Sequence, residues 1–352
     1  MKTFLKKVLN GYRQFKYAKL PRFFVATPFL SALYYFLFSN KFKREQHAVL
    51  SGKIKHLDEL NNNKSNIYTL IRNTHRLEKG LLMRPRRDVF ALDYIEETVD
   101  TFAAVWEYRK HETDKQHKWF YDVLNTYFET SGENPVLTRT KKVFDNIVNG
   151  TVESSFGKIG EKSTPYNRTE NKKSNIAFDE FYKLTKYRRS VRWFSDRKVP
   201  HDLIDKAILA ANQSPSACNR QPFLYRIIDD PVLLEKVSNL PRGIKGYAHG
   251  IPMLILVIGN LDAYFDERDR HIIYIDASLA NMTFMLALET LGLSSCSINW
   301  PDIEELEIQM SQVLGLKKHQ RTIMCMAVGY PDPEGKVAYS EKRNLDYLRK
   351  FN

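Results

Sequence analysis

The stretch RRSVRWF, residues 188–194, sets Arg188, Arg189 and Arg192 around a single hydroxyl, Ser190, and follows them with two aromatic residues. Cations this close repel one another, so the cluster needs either water or an anion that the sequence does not itself supply. A solvated helix face meets the need in the first way, and a bound phosphate meets it in the second. The neighbouring segments show what carries the cluster. Upstream, Phe178, Phe181 and Leu184 form an apolar stripe at helical spacing that leads into the arginines. Downstream, Leu203, Ala207 and Ala211 form a second such stripe, with Pro200 near its start and Pro215 just after its end.

Beyond that point the pattern changes period. FLYRII, MLILVIG and TIMCMAVGY are short runs of β-branched, aromatic and other apolar residues suited to buried strands. IIYIDASLANMTFMLALETLG is apolar almost all round and stops at Gly292, the pattern of a central buried helix. Alternating helices and strands of this kind predict an α+β domain, or a mixed α/β one, built in layers.

Upstream of the arginines the chain reads differently. From about residue 45 to 150 glycines are few, and IYTLIRNTHRLEKGLL, YIEETVDTFAAVWEYRK and KQHKWFYDVLNTYFETSG each place apolar residues three and four apart. HRLEKGLLMRPRR concentrates Arg76, Lys79, Arg84, Arg86 and Arg87 around Gly80, which by itself reads as a solvated charged face. Residues 151–174 are polar and rich in Gly, Ser, Thr and Lys, the composition of a linker. The expected division is therefore 1–44, a helical extension over 45–150, a linker over 151–174, and a domain over 175–352.

The chain of 352 residues has 43% hydrophobic residues, enough to bury a sizeable core, and a formal net charge of +13. Part of that charge is local. Lys2, Lys6, Lys7, Arg13, Lys16, Lys19 and Arg22 precede the apolar run FFVATPFLSALYYFLF at 23–38, Lys41, Lys43 and Arg44 follow it, and Glu45 is the first carboxylate. The run is shorter than the ~20 residues of a spanning helix and contains Pro28. A shallow interfacial anchor on an anionic membrane surface suits these flanks, and a hairpin packed on the protein itself is the alternative. The chain has no zinc-finger, RNP-like or recognition-helix pattern to direct the charge toward nucleic acid. Cys218, Cys296 and Cys325 are too few and too scattered for a disulfide framework or a metal site, which makes a reducing cytoplasm the default.

Neither G-x-G-x-x-G nor G-x-x-x-x-G-K-[ST] occurs, HExxH is absent, and no histidine has a convincing nucleophile near it in the sequence, so no catalytic side chain is assigned. Four segments do stand in a telling order: RRSVRWF, then SPSACNRQPF, then DASLANMTFMLALETLGLSSCSINW, then VGYPDPEGKVAYSEKRNL. Together they resemble the FMN-dependent nitroreductase family, over about residues 175–352. The resemblance implies a three-layer α/β/α domain with a mixed sheet, a homodimer with FMN at the subunit interface, and NAD(P)H as co-substrate for a small organic acceptor. It also implies that Arg188, Arg189 and Ser190 hold the phosphate, with Lys342 and Arg343 closing on it, and that Arg192 approaches the N1/O2 edge of the ring.

By the same resemblance, Pro215, Ser216, Ala217, Asn219 and Gln221 form the loop that reaches the flavin of the partner subunit. The backbone of Ile298, Asn299 and Trp300 would face flavin N5. Two departures stand out. Members of the family often insert helices as a lid between the second long strand and the central helix, but here NLDAYFDERDR, residues 260–270, leaves no room for them. Short members also lack the N-terminal half. The helices of 60–130 are therefore expected either to pack over the flavin domain and wall the substrate cleft, with HRLEKGLLMRPRR facing it, or to form a separate module on a flexible linker. The resulting expectation is a flavin oxidoreductase at the cytoplasmic face of a membrane, with a non-catalytic flavin-binding module of a membrane assembly as the alternative.

Overall fold

The computed structural model describes residues 2–61, 66–109, 115–149, 162–170 and 172–352. The linker assigned to 151–174 falls partly outside them, at 151–161 and 171. The chain opens with α1 (Lys2–Gln14), a π-helical turn at Phe15–Lys19, α2 (Leu20–Phe24) and α3 (Pro28–Leu37). Thr27 caps α3, its Oγ1 accepting from Leu30 N at 3.2 Å, and Pro28 takes the first helical position, where no N–H is needed. α2 and α3 fold back on each other through the rings of Phe24, Tyr34 and Phe38, while Phe29 and Phe36 stay 75% and 78% exposed.

Next come α4 (Lys43–Asn61), α5 (Ile67–Leu81), α6 (Ile95–Arg109), α7 (Lys115–Thr130) and α8 (Pro135–Val148). Asn66 begins α5 by accepting from the N–H groups of Tyr68 and Thr69. The apolar stripes of α5 to α8 close on a core of their own, with Leu70, Leu77, Ile95, Phe102, Phe120, Leu124, Tyr127 and Phe144 at its centre.

The C-terminal domain follows as α9 (Phe178–Tyr187), α10 (His201–Ala211), β1 (Phe223–Ile228), α11 (Pro231–Ser238), β2 (Met253–Asn260), α12 (Ile272–Thr290), β3 (Ser294–Asn299), α13 (Glu304–Leu314), β4 (Gln320–Gly329) and the short α14 (Leu345–Leu348). The strands lie in the order β1-β2-β4-β3, each pair antiparallel, with Phe223 opposite Gly259, Met253 opposite Val328 and Ser294 opposite Gly329. Outside β3, Ser190 forms a parallel bridge with Ser295, so the sheet is mixed at that edge.

β2 fixes the layering. Met253, Ile255 and Val257 pack with Ala207, Ala277, Ala280, Phe284 and Leu288 of α10 and α12. Leu254, Leu256 and Ile258 pack on the opposite side with Val237, Met310 and Leu314 of α11 and α13. A strand apolar on both faces needs a helical layer on each, which gives the expected α/β/α sandwich. Among the described residues, one helical stretch, 267–290, is long and apolar enough to cross a membrane. It contains α12, whose Ala277, Ala280, Phe284 and Leu288 are wholly buried in this layer.

The N-terminal helices rest on the C-terminal domain. α4 lies across the short turn Leu261–Ala263 that follows β2, and Ala48, Leu261, Ala263, Tyr264 and Ile273 form a small shared core. Polar contacts surround it. His56 Nδ1 lies 2.8 Å from the Asp262 carbonyl, Asn66 Nδ2 donates to the same oxygen at 3.1 Å, Lys55 pairs with the Asp262 carboxylate, and Asn260 Nδ2 donates to the Tyr68 hydroxyl at 3.2 Å. Arg44 holds Glu304 through two bonds of 2.8 and 2.7 Å.

Gly52 makes the close approach possible, since a Cβ there would stand 2.6 Å from the backbone carbonyl carbon of Leu261. Neither backbone can yield cheaply, so Gly52→Leu is expected to lift α4 from the turn at a cost of about 1–3 kcal/mol. Amide hydrogen exchange in α4 should accelerate accordingly, and unchanged protection there would show that this contact does not hold the helix.

Candidate functional site

The arginine cluster starts where α9 ends. Arg188 caps that helix, its N–H still donating to Leu184 O, and the chain then turns extended beside β3. Val191 N donates to Ser295 O at 3.0 Å, and Ser190 bridges Ser295, so 188–192 runs as an outer partial strand of the sheet. Arg189 Nη1 donates to Arg188 O at 3.0 Å and Arg192 Nη1 to Ser190 O at 3.3 Å, which turns both guanidinium groups back over their own backbone. The Arg192 guanidinium also lies 5.9 Å from the ring centre of Tyr247. Burial pushes the Tyr247 phenol up to about 12, and its oxygen lies 3.8 Å from Cys296 Sγ.

Two more of the expected segments reach this edge. β3 ends in Ile298 and Asn299, and Trp300 follows at once. Ile298 and Trp300 turn their side chains into the core, and Trp300 Nε1 donates to the buried Glu307 carboxylate at 2.6 Å. That leaves the exposed Asn299 and the backbone of 298–300 as what the segment presents outward. Lys342 and Arg343 are exposed on the C-terminal stretch. The Lys342 N–H bonds Glu341 at 2.8 Å and, with Tyr339, holds that carboxyl below its usual range; the charge of Arg189 adds to this and places the stretch near the cluster.

The fourth segment is elsewhere. In the loop 215–221, Cys218, Asn219 and Gln221 have φ of +53°, +56° and +50°, a conformation that costs non-glycine residues energy and must be held by its surroundings. Gln221 N donates to Ser216 Oγ at 3.1 Å, Gln221 Nε2 to Asn219 Oδ1 at 3.1 Å, and Arg220 Nη1 to Ala217 O at 3.3 Å. The buried carboxylate of Asp276 accepts from Ala217 N at 3.0 Å, and burial raises its titration above the ordinary carboxylate range. α5 packs on the outer side of residues 217–219. Its Arg72 reaches the loop's electrostatic surroundings and bonds Glu97 at 3.3 Å.

α12 sets the distance between the two groups. The loop meets it at Asp276, and the arginine cluster meets it at Glu289. Thirteen helical steps of about 1.5 Å separate those positions, roughly 20 Å. In one protomer, then, the cluster and the 298–300 segment lie along the outer edge of the sheet, with the stretch at Glu341 near Arg189. The loop meets the helix at Asp276 through Ala217, while Ser214, just before Pro215, meets it midway at Leu279 and Thr283.

The sequence did not single out Glu289, which sits in the last turn of α12. Its Oε2 accepts from Ser294 Oγ at 3.1 Å, and burial pushes its carboxyl up to about 7, against the pull of Ser294 and of the Arg188 charge. Arg188 Nε and Ser295 Oγ are buried without a hydrogen-bond partner. A guanidinium edge and a hydroxyl left unpaired beside Ser190, with further arginines around them, match the donor set that a phosphate dianion requires. The stretch 75–87 is divided. Arg76 lies 3.5 Å over the Tyr94 ring and pairs with Asp93, whereas Arg84 lines a separate cleft with Glu78, Trp119, Lys162 and Tyr166. Among the described residues no three His, Cys, Asp or Glu side chains gather as for a metal ion.

Residues 185–330 match the family model described as the nitroreductase family. The chain is 25% identical over 197 residues to iodotyrosine deiodinase 1 of Homo sapiens, which covers 48% of this chain and 67% of that protein. It is 29% identical over 150 residues to a Methanothermobacter thermautotrophicus protein bearing the name NADH dehydrogenase/NAD(P)H nitroreductase, covering 42% of this chain and 74% of that one. A solved structure of an FMN-dependent nitroreductase from Clostridium difficile R20291 aligns at 25% identity with a TM-score of 0.41, over 48% of this chain and 97% of that one.

Asp276→Ala removes the acceptor of the Ala217 N–H from a buried position and is expected to cost about 1–3 kcal/mol. The urea midpoint should fall accordingly. Asp276→Asn, which keeps an acceptor oxygen, should recover most of the loss, and equal losses in the two variants would detach the loop's conformation from this bond.

Proposed function

Because this chain carries a C-terminal nitroreductase-family domain, we propose that it is an FMN-dependent oxidoreductase passing hydride from NAD(P)H to a small organic acceptor. One observation carries this reading above the others: unpaired buried donors at Arg188 and Ser295 stand beside Ser190 at the outer edge of the sheet. FMN, when bound, supplies the redox chemistry by accepting and returning hydride at N5. The protein's residues bind and orient. Arg188, Arg189 and Ser190, with Lys342 and Arg343, hold the phosphate, and Arg192 offers a cation toward the pyrimidine edge of the ring. The backbone of Ile298, Asn299 and Trp300 forms the wall near N5, kept in place by the Trp300–Glu307 bond.

The separation along α12 supports a homodimer in which Pro215, Ser216, Ala217, Asn219 and Gln221 serve the flavin of the second copy. Ile275, Leu279 and Met282, exposed at helical spacing on α12, offer the apolar face that such pairing would cover. In this arrangement α5, resting on residues 217–219, travels with the loop to the substrate side of the second copy's site. The helical extension then stands where the short 260–270 connection leaves no lid. The relatives named as deiodinases make halogenated aromatics, beside nitroaromatics, the acceptors to test first.

Mixing the purified protein anaerobically with NADH and then NADPH tests the reading. Bleaching of a flavin absorption band supports an enzyme; an FMN-bearing protein that neither nucleotide bleaches is instead a flavin-binding module. Arg188→Ala is expected to weaken FMN by roughly 10- to 150-fold, the equivalent of about 1.5–3 kcal/mol for a charge-assisted bond. A wild type that cannot be loaded with FMN at all would end the proposal.

We also propose that residues 1–44 hold the protein on the cytoplasmic face of an anionic membrane. Phe4, Leu5, Val8 and Leu9 of α1 and Phe29, Phe36 and Leu37 of α3 are exposed, Lys6 and Lys7 lie among them, and no acid occurs before Glu45. Apolar burial and roughly 1 kcal/mol per basic residue at an anionic surface act together there. Full-length protein should co-sediment with phosphatidylserine-containing vesicles and be only partly released by high salt, and the form lacking residues 1–44 should stay in the supernatant with its flavin. Equal partition of both forms would exclude the anchor.

A further inference from the structure

Glu289 is an unusual residue to find at this place. It lies in the last turn of α12, where the unsatisfied carbonyls carry partial negative charge and disfavour a carboxylate. One of its oxygens accepts from Ser294 Oγ at 3.1 Å, and the other, Oε1, is shut off from water with no partner. Two further buried atoms on the adjoining elements are also unpartnered: Nε of Arg188 from the end of α9 and Oγ of Ser295 from β3. Arg188 is the charged group that faces Glu289, and β3 presents only the neutral hydroxyls of Ser294 and Ser295. Among the described residues no ion pair closes between Arg188 and Glu289, so the guanidinium edge stays unpaired beside Ser190.

We propose that Glu289 belongs to the phosphate end of the flavin site as a neutral carboxyl, donating its O–H to the bound group, so that FMN binding takes up a proton at slightly alkaline pH. The inference rests on the flavin reading above and adds to it a residue of opposite formal charge to the rest of the set. An ionised Glu289 would place negative charge both against the helix end and against a phosphate dianion. A protonated one leaves Arg188 free and supplies a further donor. The titration supports this, because burial already brings the carboxyl to about 7 before any anion is near it. The sign follows directly. A dianion raises the carboxyl's pKa further, so the bound form holds a proton that the free form has largely lost above that value, and affinity falls as pH rises.

Full-length protein freed of flavin is titrated calorimetrically with FMN near pH 8, in two buffers of different ionisation enthalpy. In parallel, fluorescence quenching follows the dissociation constant from about pH 6.5 to about pH 8.5. Wild type should take up about one proton, and its dissociation constant should rise about fivefold between pH 7 and pH 8. The phosphate's own second ionisation, near ~6, adds negative charge with rising pH and strengthens attraction to the arginines, an effect of opposite sign. Glu289→Gln keeps a donor and removes the titration, so its uptake should vanish and its affinity stay flat. Riboflavin, which lacks the phosphate, should bind without proton uptake in either form.

FMN binding by the wild type without proton uptake, or undiminished uptake in Glu289→Gln, overturns the proposal while leaving the flavin reading intact. Failure to bind both FMN and riboflavin at every pH removes the flavin reading and this inference with it. The comparison of FMN with riboflavin on the wild type is decisive even where the variant does not fold.

Discussion

Met253, Ile255 and Val257 face one helical layer and Leu254, Leu256 and Ile258 face the other, so β2 has no side left for water. Each of these side chains contributes roughly 1.5–3 kcal/mol only while both layers are in place. The rest of the C-terminal domain follows from that requirement. α10 and α12 must cover one face, and α11 and α13 the other. With the centre of the sheet filled by aliphatic side chains, polar groups that meet a ligand can stand only at the edges and at the helix ends. The arginine cluster beside β3 and the strained loop at the start of α12 occupy those two kinds of place.

The same logic accounts for how the N-terminal half is attached. The connection after β2 is too short to build a cover of its own, and its two tight turns leave Leu261, Ala263 and Tyr264 needing one. α4 supplies it, and Gly52 lets the helix backbone lie against the turn itself. The polar groups in this contact, His56, Asn66 and Lys55, all converge on Asp262, a residue of the turn and not of the sheet. Burial lowers the titration of His56 and of His319, which keeps both neutral around that residue at physiological pH. The helical half therefore rests on the part of the C-terminal domain that lies next to the loop at 215–221.

Much of this was legible in the sequence, and the exceptions have physical reasons. Runs such as MLILVIG and the nearly all-apolar helix ending at Gly292 announce themselves, because burial on all sides leaves little freedom in residue type. β3 was harder to read: SSCSIN is small and polar, and it is a strand because β4 and the 188–192 stretch pair with it on both sides, not because of its own propensity. The arginines and the 298–300 segment follow from the order of their motifs, and both lie along the outer edge of the sheet. Glu289 stands inside an apolar pattern, which hides it. An acid in the last turn of a helix opposes the dipole, however, and that local conflict was visible in the sequence. Asp276 gave no such sign, since a buried carboxylate partnered by one backbone N–H cannot be told from a solvent-facing one by spacing alone.

α12 then acts as a spacer as well as a core element. The residues it buries, Ala277, Ala280, Phe284 and Leu288, recur at helical spacing along the face that meets the sheet, and this locks its rotation. With its rotation fixed, Asp276 and Glu289 are held at a set separation, each turned toward a different polar structure: the loop at one end and the arginine cluster at the other. A shift of the helix along its axis would disturb both at once, because the Ala217–Asp276 and Ser294–Glu289 bonds cannot both survive sliding in either direction. Asp276 and Glu289 are in this way held about 20 Å apart along one helix axis.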